Sequence, residues 1–160
     1  MSTRNIQEDM KMNMKVIGSS KMIGYWTTTI IVTLELLVGS VTDLIHGREL
    51  LFVGDPVVLV LAHLGYPLYL LSILGVWRLL GAIALLVPRF PRLKEWAYAG
   101  TFINMTGAAA SHLIRGDEVS VFIWPIFFAV LTIASWALRP QNRTLGILVP
   151  ASDNQPINAG

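Results

Sequence analysis

Some of the residues best suited to chemistry stand where the surrounding sequence is almost wholly apolar. Glu35 lies between Ile30-Ile31-Val32-Thr33-Leu34 and Leu36-Leu37-Val38, and Arg78 lies between Gly75-Val76-Trp77 and Leu79-Leu80. Asn104 falls at a similar depth in a third apolar segment. An ionisable group at the centre of a membrane helix costs about 2.5–3.5 kcal/mol on insertion scales, so it usually faces other helices and either pairs or functions. Two readings follow. In one, Glu35 and Arg78 form a structural ion pair and Asn104 meets the spare lone pairs. In the other, Glu35 carries a proton or anchors a ligand cavity.

A second polar set lies toward the far ends of the same segments. Asp43 and His46 close the first, His63 and Tyr66 precede the second, and His112 with Asp117 closes the third. Glu35, Gly39, Thr42, Asp43 and His46 recur at helical spacing, which puts them on one small, polar face. Such a face suits a cavity open to water at one end. Gly100, Asn104, Gly107, Ala108, Ser111 and His112 form a similar stripe, and for Gly100 and Gly107 the simpler expectation is close helix packing through small residues. His63 and His112 have the chemistry of acid–base groups or metal ligands near neutral pH; interfacial histidines also bond headgroups or water. Their spacing matches no zinc motif, and no phosphate loop, dinucleotide fingerprint or nucleophile elbow is present.

The elements that must position these groups are helices in lipid. Of the 160 residues, 54% are hydrophobic and only 14% charged, against roughly 25% charged in soluble domains. A formal charge of +2, spread unevenly, offers no basic patch for nucleic acid. The absence of cysteine excludes disulfides, thiolate nucleophiles, thiolate metal sites and thiol relays. Redox chemistry here would need a bound cofactor, a partner subunit or the substrate itself.

Apolar segments at about 24–45, 96–113 and 119–138 each suit one crossing of a ~30 Å hydrocarbon core. The apolar stretch from Val57 to Val87 is 31 residues, about 46 Å as one helix, too long for one upright span. Gly65-Tyr66-Pro67 breaks it, since proline suits the first turn of a new helix. The second span is therefore 68–87, with 57–64 a short interfacial or re-entrant piece before it. The expected fold is all-α: an integral membrane four-helix bundle over 22–138, between a polar N-terminal tail (1–21) and a disordered C-terminal tail (139–160). Met10, Met12 and Met14 are alternative starts. Nine of the twelve Lys and Arg residues lie in the two tails and the loop around Arg89, Arg92 and Lys94, which places both termini in the cytoplasm.

The run His63-Leu64-Gly65-Tyr66-Pro67, then Leu74-Gly75-Val76-Trp77-Arg78 and Leu80-Gly81-Ala82-Ile83-Ala84-Leu85-Leu86-Val87-Pro88, resembles the DoxX-like family of small bacterial membrane proteins. So does Leu93-Lys94-Glu95-Trp96-Ala97-Tyr98-Ala99-Gly100, with Ser111-His112-Leu113 and Gly116-Asp117 downstream. Arg78 stands where the resemblance leads one to expect lysine; it keeps the charge but cannot give up its proton. The resemblance implies a four-helix bundle in the bacterial cytoplasmic (inner) membrane. For some relatives it implies a place in thiosulfate:quinone oxidoreductase or another quinone-linked system. The resulting expectation is a cavity for a lipophilic, quinone-like molecule. Glu35, Asp43 and His112 would act as proton-exchanging groups, with His63, Tyr66, Arg78 and Asn104 binding the ligand. A partner redox subunit or a second copy of the chain would assist, with no metal. The alternatives are an acid–base enzyme of isomerase or ring-opening type, and a non-enzymatic accessory or assembly protein.

The orientation is directly testable, because the chain has no native cysteine. Single cysteines at Ser152 and Arg92 should react only with membrane-permeant thiol reagents, and one at Glu49 with impermeant reagents from outside. The opposite labelling pattern reverses the orientation.

Overall fold

The computed structural model describes residues 3–47, 56–88 and 90–140, and every regular element among them is an α-helix. The helices are α1 (Thr3–Leu44), α2 (Val57–Leu64), α3 (Tyr69–Leu86), α4 (Pro91–Arg115) and α5 (Val119–Ala137). The C-terminal tail from Gln141 and the connection that carries Arg48 and Glu49 lie outside the described residues.

The four long helices form a ring in which α1 packs on α3, α3 on α4, α4 on α5, and α5 back on α1. Neighbours run antiparallel. Thr29 near the middle of α1 bonds Ser135 near the end of α5, and Lys94 at the start of α4 bonds Ala84 and Leu85 at the end of α3. The short α2 lies against α4.

Sequence and structure differ in where the first helix starts. The polar tail up to Lys21 is not separate from the first span: α1 is continuous over 42 residues, about 63 Å. That is roughly twice a hydrocarbon core, so the N-terminal half of α1 extends well beyond its apolar half. The break before α3 is as expected. Gly65 caps α2 at φ +84°, in the left-handed region, which glycine adopts without steric cost. A side chain there would also meet the Arg115 guanidinium.

Unlike a soluble bundle, this one carries many large apolar side chains on its outside and buries polar residues beside apolar ones. The buried set includes Thr29, Thr33, Ser40, Asp43, Lys94, Thr101, His112, Thr132 and Ser135, whereas Ile23, Leu34, Trp77, Ile103 and Trp124 are exposed. Among the described residues three helices are long and apolar enough to cross a membrane: α1 from Met10, α3 and α5. The 25-residue α4 is long enough but more polar, and it buries Lys94, Tyr98, Thr101, Met105, Ala109 and His112 along one face. A hydroxyl in hydrocarbon needs an internal partner. Thr28, Thr42, Thr101, Thr106, Ser111 and Thr132 each bond the carbonyl four residues earlier in their own helix.

At the α3–α4 end, Lys94 is 1% exposed, and its ammonium donates to the Ala84 and Leu85 carbonyls. These are last-turn carbonyls of α3 with no helical partner, at the negative end of the helix dipole. A loop charge counted toward orientation is therefore also a cap. Beside it Val32, Leu36, Ala82, Leu85 and Tyr98 form the apolar core. The Tyr98 hydroxyl meets Ser135 at 2.8 Å, and Arg139 donates to Glu95 at 2.7 Å while lying 5.0 Å over the Tyr98 ring. Hydrogen bonds to a charged group are worth about 1.5–3 kcal/mol, so Lys94→Ala should destabilise the bundle by about 2–3 kcal/mol. Thermal unfolding in detergent measures this; an unchanged midpoint would remove Lys94 from the framework.

Candidate functional site

The site begins on α1. Glu35 and Asp43 are two helical turns apart, about 12 Å along the axis, with Gly39 midway between them on the same face. Arg78 on α3 crosses to this face at Gly39. A Cβ at position 39 would collide with the guanidinium, so the missing side chain is the seat for the charge. One turn away Gly75 does the same for backbone approach: a Cβ there would lie 2.8 Å from Leu44 and 3.2 Å from Asp43. These close approaches let Arg78 reach between Glu35 and Asp43 at the α1–α3 contact.

Arg78 Nη1 lies 3.7 Å from Glu35 Oε1 and 3.4 Å from Asp43 Oδ2. Both separations exceed hydrogen-bond length, so the attraction is Coulombic. At an effective dielectric of about 20 it amounts to about 5 kcal/mol for the closer pair. Removing such ions from water costs several kcal/mol each. The two effects are comparable, so the trio is held in place by its helices rather than by strong bonds of its own. Glu35 Oε2, Asp43 Oδ2 and Arg78 Nε are buried without a hydrogen-bond partner. With both carboxyls ionised, the trio carries one negative charge in excess.

These groups line a cavity of about 440 Å³, within the range of small-molecule sites. Ile31, Leu34, Val38 and Phe128 supply its hydrocarbon walls, and Val57, the first residue of α2, also lines it. Leu34 is 55% and Ile31 38% exposed, so the cavity borders the outer surface of the bundle between α1 and α5. In the membrane that surface faces lipid.

The remaining expected site residues gather elsewhere. Asp117, in the turn after α4, bonds the His63 ring nitrogen at 2.7 Å and the His112 ring nitrogen at 2.6 Å, one to each carboxylate oxygen. The Tyr66 hydroxyl meets Ser111 at 2.9 Å, and Arg115 donates to the Leu64 carbonyl. This cluster ties α2 to the end of α4. It does not line the cavity; Val57, at the other end of α2, does. The bonds from His112 and then His63 hold the Asp117 carboxyl below its ordinary value of 3.8. The link is therefore complete above that value and is lost as pH falls through the lowered one. Asn104 lies on neither site: its Nδ2 is buried and unpartnered, and it does not meet the Glu35–Arg78 pair. His46 takes φ +55° where α1 ends, and its ring lies 3.5 Å from Ser72.

The glycine stripe on α4 corrects an expectation. No atom stands within 4 Å of where a Cβ would sit at Gly100 or Gly107. The close packing expected there is made instead at Gly39 and Gly75, on the α1–α3 contact. Asp117 as shared acceptor, Lys94 as cap and Phe128 as cavity wall have no signal in sequence spacing. The seat at Gly39 did have one: it lies four residues from Glu35 on the same face. Among the described residues no cluster of His, Asp and Glu is arranged to hold a metal ion.

A helical bundle with an apolar outer surface and charged groups at a lateral cavity defines a polytopic membrane protein. The chain belongs to the DoxX-like family, whose pattern matches residues 27–135. The matched stretch contains the cavity trio, the Asp117 cluster and the Lys94 cap. No curated protein and no solved structure matches the chain.

The trio makes an unequal prediction for its members. Arg78→Leu leaves two buried carboxylates facing each other and should destabilise by about 3–5 kcal/mol. Glu35→Gln leaves the Arg78–Asp43 pair neutral and should cost far less. Thermal unfolding of both variants in detergent decides it; equal losses would show that Asp43 does not share the guanidinium.

Proposed function

We propose that this protein binds a lipophilic, quinone-like molecule in the cavity between α1, α3 and α5, as the membrane component of an oxidoreductase system. The observation that carries the reading is the cavity itself: hydrocarbon walls beside an exposed bundle face, lined also by Glu35, Asp43 and Arg78 with hydrogen-bonding capacity unused. A ring with a hydrocarbon tail would enter from lipid and place its polar head against the trio. Arg78 would donate to an oxygen of the head, and Glu35 or Asp43 would exchange a proton with it. Electrons would come from a partner subunit, since the chain contains no cysteine to relay them.

In this reading His63, His112, Tyr66 and Asp117 position rather than react. They fix α2, and through it Val57, against the mouth of the cavity. The proposed setting is the bacterial cytoplasmic membrane with both termini inside. The Asp117 end would then face outward.

The unpartnered carboxylate oxygens also support a second reading, an acid–base enzyme acting on an apolar substrate in the same cavity. Binding that depends on the redox state of the ligand separates the first reading from the second.

Filling the cavity tests both against a purely structural role. Val38→Phe should weaken binding of a short-chain benzoquinone at least tenfold, whereas Val130→Phe on the exposed face of α5 should leave it unchanged. Ligand titration by fluorescence quenching in detergent or nanodiscs is the measurement. Absence of any binding to the unaltered protein would leave only the bundle.

A further inference from the structure

The polar lining of the cavity is unbalanced in its hydrogen-bonding sense. Glu35 and Asp43 bring two carboxylates to it and Arg78 one guanidinium. An ionised carboxylate only accepts, and a guanidinium only donates. The buried atoms left without a partner are Glu35 Oε2 and Asp43 Oδ2 on the accepting side and Arg78 Nε on the donating side. Thr42, the other polar lining side chain, has its hydroxyl proton committed to the Val38 carbonyl. Asp43 is 3% exposed, so water has little access to the deeper carboxylate.

Resting on the reading of this cavity as a quinone-type site, we infer that it selects the reduced, hydroxyl-bearing form of the ring over the oxidised, carbonyl-bearing form. A phenolic hydroxyl between Arg78 and a carboxylate accepts from the first and donates to the second. One group thus answers the unmet donor and one of the two unmet acceptors. A carbonyl oxygen accepts from Arg78 only; it leaves the carboxylates without a donor and brings its own lone pairs toward them. Leaving a buried acceptor unmet is costly, and sites that hydrogen-bond a hydroxyl discriminate strongly against analogues lacking it. Both forms of the ring are uncharged, so the excess negative charge of the trio does not by itself separate them. Ile31, Leu34, Val38 and Phe128 see the same ring and tail in either case. Selection therefore resides in the head group.

The experiment titrates one short-tailed benzoquinone and its hydroquinone, anaerobically, into the full-length protein in lipid nanodiscs. The hydroquinone should bind at least tenfold tighter, which raises the two-electron midpoint potential of the bound ligand by about 30 mV for each factor of ten. A tail-matched monophenol, which cannot cycle between redox forms, should bind nearly as well as the hydroquinone. In Glu35→Gln the amide offers a donor as well as an acceptor, so the preference should fall toward parity. Equal binding of both forms to the unaltered protein, or tighter binding of the quinone, overturns the selectivity and leaves the cavity reading in place. Binding of neither form overturns the cavity reading as well. A full preference that survives in Glu35→Gln overturns the role given to that carboxylate.

Discussion

Hydrocarbon offers no hydrogen bonds, and the rest of this structure depends on that constraint. Each backbone carbonyl, hydroxyl and charge within the bundle must find its partner in the protein. The helices meet the backbone demand internally, and Thr42, Thr101 and Thr132 return their hydroxyls to the preceding turn. The groups that remain are turned toward neighbouring helices, while tryptophan, isoleucine and leucine cover the outside. At the α3–α4 end the same demand recruits a lysine: the exposed carbonyls of α3 are closed by the buried Lys94 ammonium.

Against this background the Glu35–Asp43–Arg78 trio stands out as the place where unmet demand on charged groups is concentrated beside a cavity. The Tyr98–Ser135–Thr29 network is bonded at 2.7–2.8 Å. The trio, at 3.4–3.7 Å, is not. A bundle selected only for stability would have little use for an arrangement whose Coulombic gain barely offsets its desolvation. Unmet hydrogen-bonding groups beside an apolar cavity are instead what a ligand site requires, since they give a bound head group something to gain.

The second polar cluster has a different character. His63, His112 and Asp117 are close, well bonded and placed at a helix end, so they serve attachment. What they attach is α2, which has few other contacts and whose first residue is part of the cavity wall. The two clusters are thus linked through an eight-residue helix rather than through a shared pocket. A ligand held by the trio and a proton held at Asp117 would both act on the same small element.

The sequence by itself determined the solvent, the apolar helical runs and the break between α2 and α3, but not where α1 starts. Apolar runs of membrane length leave few alternatives, and Gly65-Tyr66-Pro67 stops a helix for reasons internal to those residues. It also determined that Glu35 and Asp43 share a face of α1, since that follows from helical period alone. Which faces meet was decided only by tertiary structure. Arg78 paired with both carboxylates because Gly39 and Gly75 let α3 approach α1 there, whereas Gly100 and Gly107, equally small, met nothing within the chain. His63 and His112 are 49 positions apart and were brought to one carboxylate by the fold of α2 over α4. Asn104, at the right depth, was turned away from the trio. Depth in the membrane is a property of position along one helix and is legible in sequence. The azimuth at which helices pack depends on surfaces from several segments at once, and no single segment carries it.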